Sequence, residues 1–212
     1  MTALAHEAYP SPAVDDDAQA ASALDEVVWQ AWKAMELPEG YRAEIIGASI
    51  EVSPTGRRRH TVLINRLRRA LEARLAGSEY AVYQDANVLH RHKVWVPDLF
   101  VAPLDLEEIA DEEGLGVEAA GVPMVVEVTS PGWTNLERDR LRKRVAYAAA
   151  GIPFFLLVDD FDGDGSVRVL TQPDPETGRY ADEHRVPYGT DVLLPSGPAE
   201  DFVLESALFK DA

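Results

Sequence analysis

The strongest constraint on the fold of this chain is a short apolar run, a helix start signal and a second apolar run in succession between residues 124 and 158. Met124 to Thr129 is rich in β-formers, and Thr134 followed by Glu137 has the spacing of a capping box. That box predicts a helix running to Ala150 and closed by Gly151, after which Pro153 leads into a second buried strand, Phe154 to Val158. Strand, helix and strand in this order form a crossover unit, which sets two strands parallel with the helix on one face. The chain is therefore expected to be α/β, a mixed β-sheet flanked by helices.

The remaining segments fit around that unit. Ser22 ahead of Asp25, with Val28, Trp32 and Met35 at helical spacing, predicts a first helix from about 23 to 36. Arg42 to Val52 reads as two short strands joined by a tight turn at Gly47. His60, Ile64, Leu67, Leu71 and Leu75 recur at steps of three and four, the stripe of an amphipathic helix over 58–76. Strands fit 80–83, 87–90 and 94–101, the last holding Pro97, and 166–170 with 179–186 read as a hairpin. The acidic stretch 105–121 is expected to be a surface excursion. Residues 1–21, rich in Ala, Pro and Asp without apolar periodicity, are expected to be a flexible tail, and 22–212 a single domain.

Composition removes several classes. With no cysteine there can be no disulfide, no Cys-ligated zinc and no thiol nucleophile. The longest apolar run, Val145 to Val158, is too short for a membrane span and contains Gly151 and Pro153. The first 23 residues carry no Lys or Arg, unlike a secretory or transit signal, so a cytoplasmic location is expected. The net charge of −17 opposes a phosphate backbone, yet twelve of the 20 basic residues cluster in 57–74 and 138–144. If those segments share a face a polyanion could dock there; otherwise they are solvated helix faces.

Three residues could carry chemistry. Glu127 interrupts Met-Val-Val-Glu-Val, a run suited to burial on both faces. A carboxylate there must be paired, protonated or metal-bound, or must stand at a strand end facing solvent or an Arg. Asp98 follows Pro97 in a second strand, and two carboxylates from adjacent strands with a main-chain carbonyl and waters are what magnesium accepts. Asp98 could equally cap a turn. Lys143 lies in the helix after Glu127, on a stripe with Leu136, Arg140 and Tyr147; it either returns to the carboxylates or is one of several exposed bases.

The order Glu44-Ile-Ile-Gly, Ser53-Pro54 with His60 opening a helix, Val96-Pro97-Asp98, Val126-Glu127-Val128-Thr129-Ser130-Pro131, Asp139-Arg140 with Lys143 and Tyr147, Ala150-Gly151-Ile152 and Leu157-Val158-Asp159 resembles the Uma-type restriction endonuclease family of the PD-(D/E)XK nuclease superfamily. The resemblance covers about residues 22 to 208. It implies a restriction-endonuclease-like core and magnesium-dependent hydrolysis, with manganese as a substitute. It also implies Asp98, Glu127 and the carbonyl of Val128 as metal ligands, with Glu44 as a metal-side or water-orienting carboxylate. The lysine usual two residues after the glutamate is replaced by Thr129, so its role passes to Lys143. DNA is the implied substrate, with Arg57, Arg58, Arg59, His60 and Arg140 as contacts and a homodimer suited to double-strand cleavage.

Other signals carry less. Asp160-x-Asp162-x-Asp164-Gly165 opens like a calcium loop but has Thr171 where a bidentate Glu is needed, so a polar hairpin turn is expected. His90 and His92 lack further ligands, and Ser130 lacks a nucleophile elbow. The competing reading is a catalytically inactive nuclease-fold module that binds nucleic acid or a protein partner.

Overall fold

The computed structural model of the protein describes residues 14–54 and 56–210. In chain order its helices and strands are α1 (Val14–Lys33), β1 (Tyr41–Ile46), β2 (Ser49–Pro54), α2 (Arg58–Leu75), β3 (Tyr80–Tyr83), β4 (Val88–His90), β5 (Lys93–Trp95), β6 (Leu99–Pro103), β7 (Val117–Glu118), β8 (Met124–Val128), α3 (Trp133–Glu137), α4 (Lys143–Ala149), β9 (Phe154–Asp159), β10 (Ser166–Asp174) and β11 (Arg179–Pro187), followed by the short pair β12 (Val192–Leu193) and β13 (Val203–Leu204).

The expected crossover is present: β8 and β9 pair in parallel, with Val126 opposite Leu156, and α3–α4 connect them. These two strands lie at the centre of a six-stranded sheet ordered β11-β10-β9-β8-β6-β3, whose other neighbours are antiparallel, so the sheet is mixed. Both of its faces are buried. On one, Leu63, Leu67, Leu71 and Leu75 of α2 pack with Met124, Val126, Val128 and Leu156. On the other, Val125, Phe155 and Leu157 meet Tyr147, Ala148 and Trp95. Each such leucine contributes roughly 2 kcal/mol on burial, which fixes α2 against the sheet. The alternation of β8 sends Glu127 to the α4 side with Val125.

A second sheet, ordered β2-β1-β5-β4-β7, lies beside the first. Its hairpin β1–β2 turns at Gly47, whose φ of 64° only glycine adopts freely. Helix α1 closes over it through Trp29, which packs with Ile45, Leu89 and Val94, and through the Trp32 Nε1–H to Ala43 carbonyl bond of 2.9 Å. Among the described residues, no helix is long and apolar enough to cross a membrane.

Four expectations need correction. The strand expected over 94–101 is two strands in different sheets, β5 and β6, because the chain changes sheets at Val96-Pro97-Asp98, where proline has no N–H to offer a ladder. The capping box is not formed: Gly132, at φ 109°, occupies the N-cap position and Thr134 lies inside the helix. The helix of 133–149 is not continuous, since Arg138–Arg142 form a π turn, and the extra residue resets the buried stripe to Arg138, Asp139, Lys143, Tyr147 and Ala148. Residues 1–13 of the expected tail lie outside the described residues, but 14–21 are already helical in α1. Val14 to Ala21 contain no Pro or Gly and three alanines, so a polar composition did not preclude a helix.

Candidate active site

The chain's change of sheet places Asp98 between the two sheets and next to β8. Asp98 is 6% exposed, and its carboxylate accepts three donors: His60 Nε2 at 3.0 Å, the Val128 N–H at 2.9 Å and Arg42 Nη2 at 3.4 Å. Burial alone would raise this carboxyl, but His60, Arg42 and Lys143 outweigh it and hold Asp98 well below the usual carboxylate range. His60 opens α2 and packs on Gly56, where any β-carbon would collide with the imidazole. Burial disfavours its charged form, yet its bond to Asp98 and that carboxylate's charge leave His60 above its ordinary value.

Glu127 lies one residue before the N–H that holds Asp98. Its Oε1 accepts from Lys143 Nζ at 2.8 Å and from the Tyr147 hydroxyl through a short bond. Lys143 Nζ also stands 2.9 Å from Glu44 Oε1, which in addition accepts the Val96 N–H at 2.8 Å. Lys143 is thus no exposed base: it is fully buried, bridging a carboxylate of each sheet. The π turn brings this about, as it advances α4 by one residue relative to α3.

The charges are unevenly matched. Burial pushes Glu127 up to about 7, against Lys143 and with Asp98, Asp139 and Glu44 adding to the rise. Burial would also raise Glu44, but Lys143, Arg42 and the Val96 N–H pull it below its ordinary value. Despite burial, Glu127, Glu44 and Asp139 hold Lys143 above its usual range, so it is an ammonium at neutral pH. Glu44 Oε2 is buried with no hydrogen-bond partner among the described residues.

The structure brings Glu44, His60, Asp98, Glu127, Val128 and Lys143 together, and adds Arg42, which sequence reasoning missed, and Tyr147, which it placed on the stripe of Lys143 without giving it a role. Arg42 stands two residues before Glu44 on β1, a spacing that shares one strand face and was available as a signal. Asp98, His60 and Arg42 line a cleft of about 450 Å³, while Glu44, Glu127 and Lys143 are fully buried and outside its wall.

Most arginines of the two basic clusters are committed to partners within the fold. Arg59 binds Asp160 at 2.5 and 2.7 Å, Arg66 and Arg74 hold C-terminal carbonyls, and Arg68 pairs with Glu72. In the second cluster Arg138 pairs with Asp139, Arg142 with Glu51 and Arg144 with Glu183. Of the expected DNA contacts, Arg57 and Arg58 are exposed at the start of α2, and Arg140 is committed to Asp159. Thr129, the residue at the displaced lysine position, donates to the same Asp159 at 3.2 Å. The calcium-like turn is likewise occupied, Asp162 accepting from Ser166, Arg168 and Arg185.

Asp159 has no exposed surface, and Arg140 grips it at 2.6 and 2.9 Å. Arg140→Ala strands that carboxylate, so the urea midpoint is expected to fall by the equivalent of about 3 kcal/mol. An unchanged midpoint would show that Thr129 and the Phe161 N–H alone suffice to hold it.

Three comparisons bear on this arrangement. The Uma2 family, described as "Putative restriction endonuclease", matches residues 29–204. The crystal structure of a putative nuclease belonging to DUF820 from Anabaena variabilis ATCC 29413 superposes with a TM-score of 0.63 at 16% identity, covering 86% of this chain and 97% of that one. Likeness at this identity establishes the fold, a nuclease-like α/β architecture. No curated protein matches the chain.

Proposed function

The chain belongs to the Uma2 family of putative restriction endonucleases, and on that premise we propose that it is a magnesium-dependent endonuclease hydrolysing phosphodiester bonds in DNA. The observation that carries this reading is the buried bridge of Glu44, Lys143 and Glu127 set against Asp98. Within it Asp98 and Glu127 are the two carboxylates, and Lys143 the ammonium, that a metal-assisted phosphoryl site would use, even though Thr129 stands at the usual lysine position.

The donor chemistry fits a hard divalent cation. Asp98, Glu127 and Glu44 offer hard carboxylate oxygens, burial pushes Glu127 up to about 7 with Asp98, Asp139 and Glu44 adding to the rise, and Glu44 Oε2 has no hydrogen-bond partner among the described residues. Magnesium keeps several waters and so calls for few protein ligands. Asp98, Glu127 and the Val128 carbonyl would hold it, and Mn²⁺ would substitute. When bound, the ion lowers the pKa of a water and offsets charge on the scissile phosphate.

The chain's own groups do the rest. Lys143 keeps a fixed positive charge beside Glu127, which would offset negative charge developing on a phosphoryl oxygen brought to that carboxylate. The Val128 N–H and His60 orient Asp98, and Tyr147 orients Glu127. Arg42, bonded to Asp98 and lining the cleft, faces the incoming strand with a cation.

Plasmid and linear duplex DNA, with single-stranded DNA and RNA alongside, test this directly in Mg²⁺, Mn²⁺ or EDTA. Metal-dependent nicking or linearisation of DNA is expected, with none in EDTA. No cleavage of any substrate with either metal would sink the reading. One observation favours a second one, a non-catalytic nuclease-fold module: both Asp98 oxygens already accept protein donors. That module would bind nucleic acid steeply weakened by salt and indifferent to magnesium.

A further inference from the structure

A smaller cleft of about 160 Å³ shares Arg42 and His60 with the cleft that Asp98 lines. Its wall includes Arg42, Ser53, Arg57, His60, Ser130 and Arg138, and no carboxylate is among its lining residues. The chemistry is therefore unlike that of the neighbouring carboxylate site. Arg138 is paired with Asp139 and Arg42 with Asp98, whereas Arg57 is exposed and forms no ion pair among the described residues.

Two observations mark this wall as unsatisfied. Arg42 and Ser53 stand directly opposite each other in the β1–β2 hairpin, and each holds a buried polar atom, Nε and Oγ, with no hydrogen-bond partner among the described residues. Buried donors in a folded protein are nearly always met by a partner or a ligand. Helix α2 also begins here without a side-chain cap at Arg57 and without an acid in its first turn, leaving its N–H groups and the positive end of its dipole uncompensated.

We propose that this cleft binds a phosphate group, through the Arg42 and Arg57 guanidiniums, the Ser53 hydroxyl and the α2 N-terminus. Guanidinium, hydroxyl and main-chain N–H donors without a facing carboxylate select a tetrahedral oxyanion, and the cleft suits one phosphate better than a base with its sugar. Because both clefts share Arg42 and His60, the phosphate is one on the strand whose scissile bond lies at Asp98. That assignment of source rests on the nuclease reading; the phosphate chemistry does not.

The test is calorimetric titration of the full chain in EDTA with inorganic phosphate and with a short single-stranded oligonucleotide bearing either a 5′-phosphate or a 5′-hydroxyl. The parent is expected to bind, Arg57→Ala to bind about tenfold more weakly, and Ser53→Ala to show a smaller loss. Arg179→Ala, which removes an exposed base on β11, is expected to bind as the parent does. A preference for the 5′-phosphorylated strand assigns a terminal monoester. Equal binding of both strands with the same loss in Arg57→Ala assigns an internal diester. Failure of the parent to bind any of the three ligands overturns the site, as does an equal loss in Arg57→Ala and Arg179→Ala. With metal withheld the titration is blind to cleavage, so a failed nuclease reading and a failed phosphate site are distinguishable.

Discussion

Replacing Asp98 or Glu127 with alanine is expected to lower magnesium-dependent cleavage by about a thousandfold or more and to remove the heat of metal binding. The effect is large because each substitution deletes one of only two side-chain carboxylates assigned to the ion, and a cation that keeps most of its waters has few protein ligands to spare. The two variants differ in what they leave behind. Without Asp98, His60 and the Val128 N–H lose their acceptor; without Glu127, Lys143 retains Glu44. Asp98→Asn, of equal size, separates loss of charge from loss of packing. Titrating Mg²⁺ and Mn²⁺ into the parent and these variants, with circular dichroism to check the fold, decides the matter. Metal binding that survives both substitutions places the ion elsewhere, and cleavage at the parental rate refutes the assignment.

Lys143→Met is expected to be the most damaging single substitution to stability, costing about 3–5 kcal/mol. It leaves Glu44 and Glu127 buried within one pocket without their shared cation. Both carboxyls would then be raised above their unfolded values. A group whose folded pKa is raised contributes stability below its unfolded pKa and loses it as pH rises through the folded one, so the deficit should be smaller near pH 5 than at about pH 8. Adding Glu127→Gln removes one stranded charge and is expected to recover part of the loss. Urea unfolding of the single and double variants measures this. A Lys143→Met protein as stable as the parent would mean that the bridge contributes nothing, and one that cleaves DNA normally would remove Lys143 from the chemistry.

The site was legible in the sequence where a residue contradicted its own surroundings. Glu127 stood out because a carboxylate in an apolar strand needs a reason, and Asp98 because it followed a proline in another strand. The crossover was legible for the same kind of reason, since its two strands and helix each carried a local signal. Lys143 was ambiguous from periodicity alone, and only the family resemblance drew it toward the carboxylates; the π turn that places it has no marker among its five residues. Arg42 was missed, and Ser53 and Asp159 were given no role, because their importance comes from partners elsewhere in the chain. The arginine clusters were left open for that reason as well. Charge density is visible in a sequence, but whether Asp159, Glu51 and Glu183 are waiting opposite is not. At Pro97 the reading of one strand failed because a proline tolerated at an edge and a proline at a change of sheet look alike locally.

The assembly of the site from both sheets also governs when it can exist. Its groups come from β1, from α2, from the passage between β5 and β6, from β8 and from α4, and Lys143 reaches back 99 positions to Glu44. Contacts so distant along the chain close late, because the entropy of the intervening loops must be overcome first. The site of a chain still emerging from the ribosome is incomplete until α4 brings Lys143 and Tyr147, and a partly unfolded molecule loses the bridge as soon as the sheets part. Whatever reaction the carboxylates serve is therefore confined to the finished fold.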